Sequence, residues 1–291
     1  TSDPGGSDDV VSLDEAAGGI VLGGAVEAGS KVTVTFDGTE YEADVNDNAG
    51  TWSLTVPAGD IREGKYPAQI TVEAEDHVGN RAEFDDVLQI DTDAPDGPIV
   101  NLVLDGRDGF EGIRVETAME GGANAGETLS VQEVASNGQV SDVDGTQTPL
   151  GSNTLFEFDQ EVPDGSDLIV NATDTAGNTF GTYLALDGED GNSAIDLTNV
   201  ALGEFQIETL DLEWAEAVSV TIDEASLLAL STNSNTLTIR GSSEDELVIN
   251  GGAEDGTRVV DGETFNVYTV GSEGTLLVDM DIPDDNITLT I

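Results

Sequence analysis

Cysteine is absent from the 291 residues, so disulfides, thiolate metal sites and cysteine nucleophiles are excluded and any bound metal is expected to be oxygen-ligated. Bases are nearly as scarce. Eight Lys and Arg stand against sixty Asp and Glu, a net charge of −52. Such a surface repels phosphate, which argues against nucleic acid and anionic membrane as partners and makes cations the natural ones. Charge of one sign at this density also favours a monomer. No run approaches ~18 apolar residues, and no basic segment followed by an apolar one opens the chain, so neither a transmembrane helix nor a signal peptide is expected, and no direct membrane insertion. The sequence begins at Thr1 without Met and reads as a piece of something longer.

The scarcity extends to catalytic groups. Histidine occurs once, at His77, inside a polar turn where an ordinary exposed side chain is the simpler reading than a triad base. A glycosidase-type carboxylate pair would want aromatic platforms, yet the tryptophans are only Trp52 and Trp214, and Trp52 sits at strand spacing. A non-enzymatic protein is therefore expected. Trp214, flanked by Glu213 and Glu216, is the aromatic to watch as a ligand contact.

What is present is folded β structure. The acids are spread evenly: 22 against 4 bases in residues 1–96, 18 against 2 in 97–190, and 20 against 2 in 191–291. An acidic tail would concentrate them. Apolar residues recur at the two-residue strand repeat in Val32, Val34 and Phe36, in Trp52, Leu54 and Val56, and in Ile70, Val72 and Ala74. Turns are expected at Asp37-Gly38 and Asn48-Ala49-Gly50.

An internal repeat sets the organisation. Ile70–Asn80 reads ITVEAEDHVGN and Leu168–Asn178 reads LIVNATDTAGN. Leu88, Ile90, Asp91 and Asp93 then match Leu184, Leu186, Asp187 and Glu189. Two tandem modules of the immunoglobulin-like β-sandwich class follow, 1–96 and 97–190, joined by the proline-stiffened linker Asp91-Thr92-Asp93-Ala94-Pro95-Asp96-Gly97-Pro98. Residues 191–291 form a third, β-rich module. Strands are expected around Leu237 and Ile239, Leu247 and Ile249, Phe265 and Val267, and Leu276, Val278 and Met280. One short helix is expected, capped by Asp223, with Leu227, Leu228 and Leu230 toward the core.

Calcium takes six to eight oxygen ligands, mostly carboxylate and carbonyl. At the first junction Asp76, Asp91, Asp93 and Asp96 are expected to converge with Asp105, Asp108 and Glu111; at the second, Asp174, Asp187, Glu189 and Asp190 form the counterpart. Acidic turns are common for backbone reasons alone, and an acidic surface also suits saline surroundings, so the total charge and the junction acids can have separate causes. The glycine-rich calcium nonapeptide and the EF-hand loop are both missing, with Asn250–Asp255 and Asp142–Gly145 the nearest stretches.

The stretches VTVTFDG, GTWSLTVP, ITVEAEDHVGN and IDTDAP resemble the bacterial immunoglobulin-like repeats that form the stalks of very large type I secreted (RTX) adhesins. The second module keeps ATDTAGN but lacks the tryptophan and the D-A-P linker. IETLDL (207–212), SLLALSTNSNTLTIRG (226–241) and VDGETFNVYTVGSEGTLLVD (260–279) resemble a module near the C-terminal region of the same adhesins. The resemblance implies a calcium-rigidified extender segment that projects ligand-binding domains from the cell for surface attachment and biofilm formation. It implies an extracellular location, Ca2+ as the cofactor, and neighbouring domains of the same chain as partners, with a cell-surface glycan or protein as a further one. The alternative is that residues 191–291 themselves bind a glycan or peptide, through aromatic and polar groups around Trp214 or Tyr268.

Overall fold

The computed structural model describes residues 10–116, 127–187, 192–231, 233–260 and 262–290. It divides into two compact units: residues 1–94 with Thr175–Asn178, and Pro95–Asp174 with Thr179–Ile291.

Unit 1 contains β1 (Val10–Val11), α1 (Leu13–Ala17), β2 (Ile20–Ala25), β3 (Lys31–Phe36), β4 (Thr39–Glu42), β5 (Asp44–Asn46), β6 (Thr51–Val56), β7 (Lys65–Glu75) and β8 (Arg81–Asp91). One sheet runs β1-β8-β7-β3-β4 and the other β2-β6-β5, giving an immunoglobulin-like sandwich. Val32, Val34 and Phe36 face inward with Trp52, Val56, Ile70 and Val72, the alternation expected of sheets with one wet face. Burial places Trp52 in the core at 7 % exposure. Asp37 and Gly38 both have positive φ, 46° and 90°, the backbone of a tight hairpin turn between β3 and β4. The helix α1 was not legible in the hydropathy pattern. Its signal is the capping box in which Ser12 and Glu15 satisfy each other's backbone amides.

Unit 2 opens with β9 (Ile99–Asp105), β10 (Gly109–Glu116), β11 (Thr128–Val134), β12 (Val140–Asp142), β13 (Gly145–Leu150), β14 (Asn153–Pro163), β15 (Asp167–Thr173) and β16 (Thr179–Leu184). The sheet β13-β14-β10-β9 packs on β12-β11-β15-β16 around Ile113, Val115, Phe156, Leu168, Val170 and Leu184, a second sandwich. The chain continues through β17 (Asn192–Ile195), β18 (Ile207–Asp211), β19 (Ala217–Ile222), α2 (Glu224–Leu230), β20 (Thr236–Arg240), β21 (Glu246–Asn250), β22 (Gly252–Val260), β23 (Glu263–Val270), β24 (Gly274–Asp279) and β25 (Ile287–Thr290).

Here the strands alternate between two sheets. β16, β18, β20 and β24 pair in parallel, and so do β17, β19, β21 and β25. The backbone therefore coils, with the β22–β23 hairpin extending one sheet. Leu210, Leu212, Val220, Ile222, Leu237, Ile239, Leu247, Ile249, Leu276 and Val278 fill the coil, and Ile169 and Tyr183 join them from the sandwich sheet. Because β16 pairs with β18, one nine-stranded sheet runs through both regions. The boundary expected between residues 190 and 191 thus falls within a continuous sheet and a single compact unit. Parallel pairing across a long connection leaves no local mark in hydropathy. Helix α2 forms as expected, with Asp223 as N-cap and Leu227 and Leu230 buried. Met280 lies past the end of β24 and is 54 % exposed.

Candidate functional site

The β7–β8 hairpin separates two groups of acids that sequence alone had gathered. Lys65 pairs with Asp91 at one end and Glu75 with Arg81 at the other, so Asp76 lies roughly 33 Å from Asp91 at ~3.3 Å per residue. At its own end Asp76 staples a turn. Its carboxylate accepts from Val78 N (2.9 Å), Asn80 N (2.8 Å) and Asn80 Nδ2 (2.6 Å). The Asn80 bonds hold its pKa below the ordinary carboxylate value. Asp91 is 3 % exposed and paired with the Lys65 ammonium, while the Asp93 side chain is exposed.

Asn178 ends the second D-x-x-G-N copy and packs within unit 1. It is buried; its Nδ2 donates to Asp91 O (2.9 Å) and Asp93 O (3.1 Å), and its Oδ1 accepts from Leu13 N (2.8 Å). That last bond satisfies the first amide of α1, one of those a helix leaves open. Sequence reading treated this asparagine as a turn residue; its function as a linker clasp shows only in the fold.

In unit 2, Asp105, Asp108 and Glu111 are exposed at the far end of β9 and the start of β10. The seven residues of β9 span ~20 Å, which keeps them from Asp96. Their turn is instead held by Glu161, which accepts from Arg107 N (3.1 Å) and Asp108 N (3.0 Å). Asp174 and Asp187 likewise follow opposite ends of the β15–β16 hairpin, where Thr173 pairs with Thr179 and Leu168 with Leu184. Asp187 Oδ1 accepts from Glu216 N at 2.6 Å. Glu189 and Asp190 lie outside the described residues.

The junction acids that do come within electrostatic reach of a common neighbour are Asp96 and Asp174, and that neighbour is Glu127, missed in the sequence. Glu127 is half-buried just before β11. Burial raises its pKa, and repulsion from Asp96 and Asp174 raises it further. Three carboxylates from separate segments, two of which repel the third, suit a hard divalent cation in donor type and charge. Among the described residues no three acidic or histidine groups stand gathered in a metal-ready cage, so binding there would require the three side chains to draw in.

The aromatics named for ligand contact are otherwise engaged. Trp214 packs against the core of the second sandwich, and Tyr268 is 4 % exposed. No helix among the described residues is long and apolar enough to cross a membrane.

No protein-family model matches the chain, and no curated protein matches it in sequence. Among solved structures, one described as a Ca2+-stabilized adhesin with which an Antarctic bacterium binds ice aligns over 95 % of this chain and 64 % of its own, at 18 % identity and a TM-score of 0.39. A second, concerned with host cell surface retention of a 1.5-MDa bacterial ice-binding adhesin, aligns over 95 % of this chain and 93 % of its own, at 18 % identity and 0.37. A tetra-tandem repeat from the extending region of a large adhesion protein aligns over 60 % and 47 %, at 21 % identity and 0.24. At these scores the likeness by itself assigns no function.

Proposed function

We propose that this chain is a non-enzymatic, extracellular segment of a bacterial surface adhesin whose β-sandwich modules are stabilised by calcium, and that it serves to hold ligand-binding domains away from the cell for attachment and biofilm formation. The observation that carries the calcium part is the approach of Asp174 and Asp96 to the half-buried Glu127, which the pairing of Thr128 with Thr173 brings to the same end of the sandwich as Asp174. The adhesin part rests on the repeated D-x-x-G-N turn and the D-x-D-A-P linker. Calcium at the trio would tie the start of unit 2 to β11 and β15, and its binding energy would become folding energy.

Arrival outside the cell, where calcium is millimolar, would then complete the fold after type I secretion. Neighbouring domains of the same chain are the partners in this reading. Small-angle scattering of the chain in millimolar calcium and again in chelator tests it: a profile that stiffens with calcium is expected, and a profile indifferent to calcium would contradict it.

A further inference from the structure

The coil of unit 2 carries a charge problem of its own. The C-terminal ends of β18, β20 and β24 stack at one end of the coil, with Asp211 in register with Arg240 and Ile239 in register with Val278. Adjacent strands are ~4.8 Å apart. The stack gathers Asp211 and Glu213 from β18 and its exit, Asp279 and Asp281 from β24 and its exit, and Glu263 from β23, whose Phe265 pairs with Asp279.

These five carboxylates face one base. Arg240 is half-buried and its Nη2 meets Glu263 Oε2 at 2.5 Å. Burial is what most opposes the ionised forms of Asp211 and Glu213, neighbouring acids add to it, and the Arg240 charge favours those forms. Asp245, on the loop after β20, has other partners: its Oδ1 accepts from Val218 N at 2.9 Å and its Oδ2 from Ser242 N at 2.6 Å. Residues 191–291 contain only one other base, Arg258.

We propose that Arg240 is the built-in counter-cation of this stack, filling by side chain the place that a bound divalent cation would otherwise have to fill, so that the coil folds and stays folded without calcium. The inference is independent of the calcium reading of Asp96, Glu127 and Asp174, which concerns the sandwich end of the unit.

Hydrogen–deuterium exchange on the full chain, read over β18, β20 and β24 with calcium and with chelator, tests it. The wild type should show the same protection in both. Arg240→Gln should exchange at least ~10-fold faster at pH 7 in chelator and regain part of its protection at pH 5, where Asp211, pushed up to about 6, takes its proton, or in millimolar calcium. Arg240→Lys, which keeps the charge, should retain most of the protection and guards against a glutamine variant that fails to fold. Loss of wild-type protection in chelator would overturn the proposal. So would an Arg240→Gln variant that is unaffected, or one equally deprotected at both pH values and unmoved by calcium, since either outcome marks Arg240 as packing alone.

Discussion

The β7–β8 and β15–β16 hairpins carry one repeated sequence pattern and do different work. In β7 the residues alternate between buried and wet, as in Ala68, Ile70 and Val72 against Gln69, Thr71 and Glu73. In β15 the five central residues, Leu168 through Ala172, are all buried. One face of β15 packs the second sandwich and the other packs the coil. The hairpin of unit 2 is thus a shared wall between two cores, and the difference lies at the outward positions: Thr71 corresponds to Ile169 and Glu73 to Asn171.

The largest effect expected from this contrast is at Ile169, which is fully buried. Ile169→Ala should cost about 3 kcal/mol in denaturant unfolding, the range for emptying a packed aliphatic site. The corresponding Thr71→Ala in β7 should stay within ~1 kcal/mol, as surface changes do. Equal costs would mean that β15 is not buried on both sides.

The two asparagines sharpen the comparison at the next level. Asn178→Ala removes a clasp on two linker carbonyls and the α1 amide and should cost about 2 kcal/mol, because buried groups lose their partners. Asn80→Ala, in an exposed turn bonded only to its own Asp76, should cost under ~1 kcal/mol. The order of the two unfolding midpoints checks this directly.

Acidity sets the buried Asp211 of the coil against the turn acid Asp76 of unit 1. Burial pushes Asp211 in the coil from 3.8 up to about 6. Its folded form prefers the proton, so it opposes folding at pH 7 and this penalty fades as pH falls through 6 toward 4, an effect of up to ~3 kcal/mol. Asp76 in unit 1 runs the other way: its lowered pKa adds stability above the ordinary carboxylate range that is lost below it. Between pH 7 and 5 the coil should therefore become more resistant to hydrogen exchange while unit 1 does not change. Asp211→Asn should flatten the coil's response, and a response that persists would place its source elsewhere.

Much of the architecture was legible because it is local. Two-residue alternation located β3, β6 and β7, the Asp37-Gly38 pair marked a tight turn, and the Asp223 cap located α2. The coil was not legible, since parallel strands are paired by connections of a dozen or more residues and their registers depend on no turn. One signal was present: the unbroken apolar run Leu168-Ile169-Val170 marks a strand buried on both faces.

The candidate site was read less well for a geometric reason. Grouping acids by the module junction they flank does not place them together in space, since Asp76 and Asp91, or Asp174 and Asp187, stand at opposite ends of their hairpins. Many carboxylates also serve as staples for turn amides, as Glu161 does for Arg107 and Asp108 and Glu224 does for Glu273 at 2.8 Å. These are acids with a structural use and no need of a metal. Glu127 could have been found as the acid directly preceding β11, a position that brings it to the same end of the sandwich as Asp174.

Scanning calorimetry of the wild type and of Glu127→Gln, each in millimolar calcium and in chelator, tests the calcium claim most directly. Calcium at a hundredfold excess over its dissociation constant should stabilise the wild type by about 2.7 kcal/mol, a rise of a few degrees in melting temperature. The variant should lose most of that rise while melting near the wild type in chelator. A wild type indifferent to calcium, or a variant that gains as much from it, would contradict the assignment of Asp96, Glu127 and Asp174.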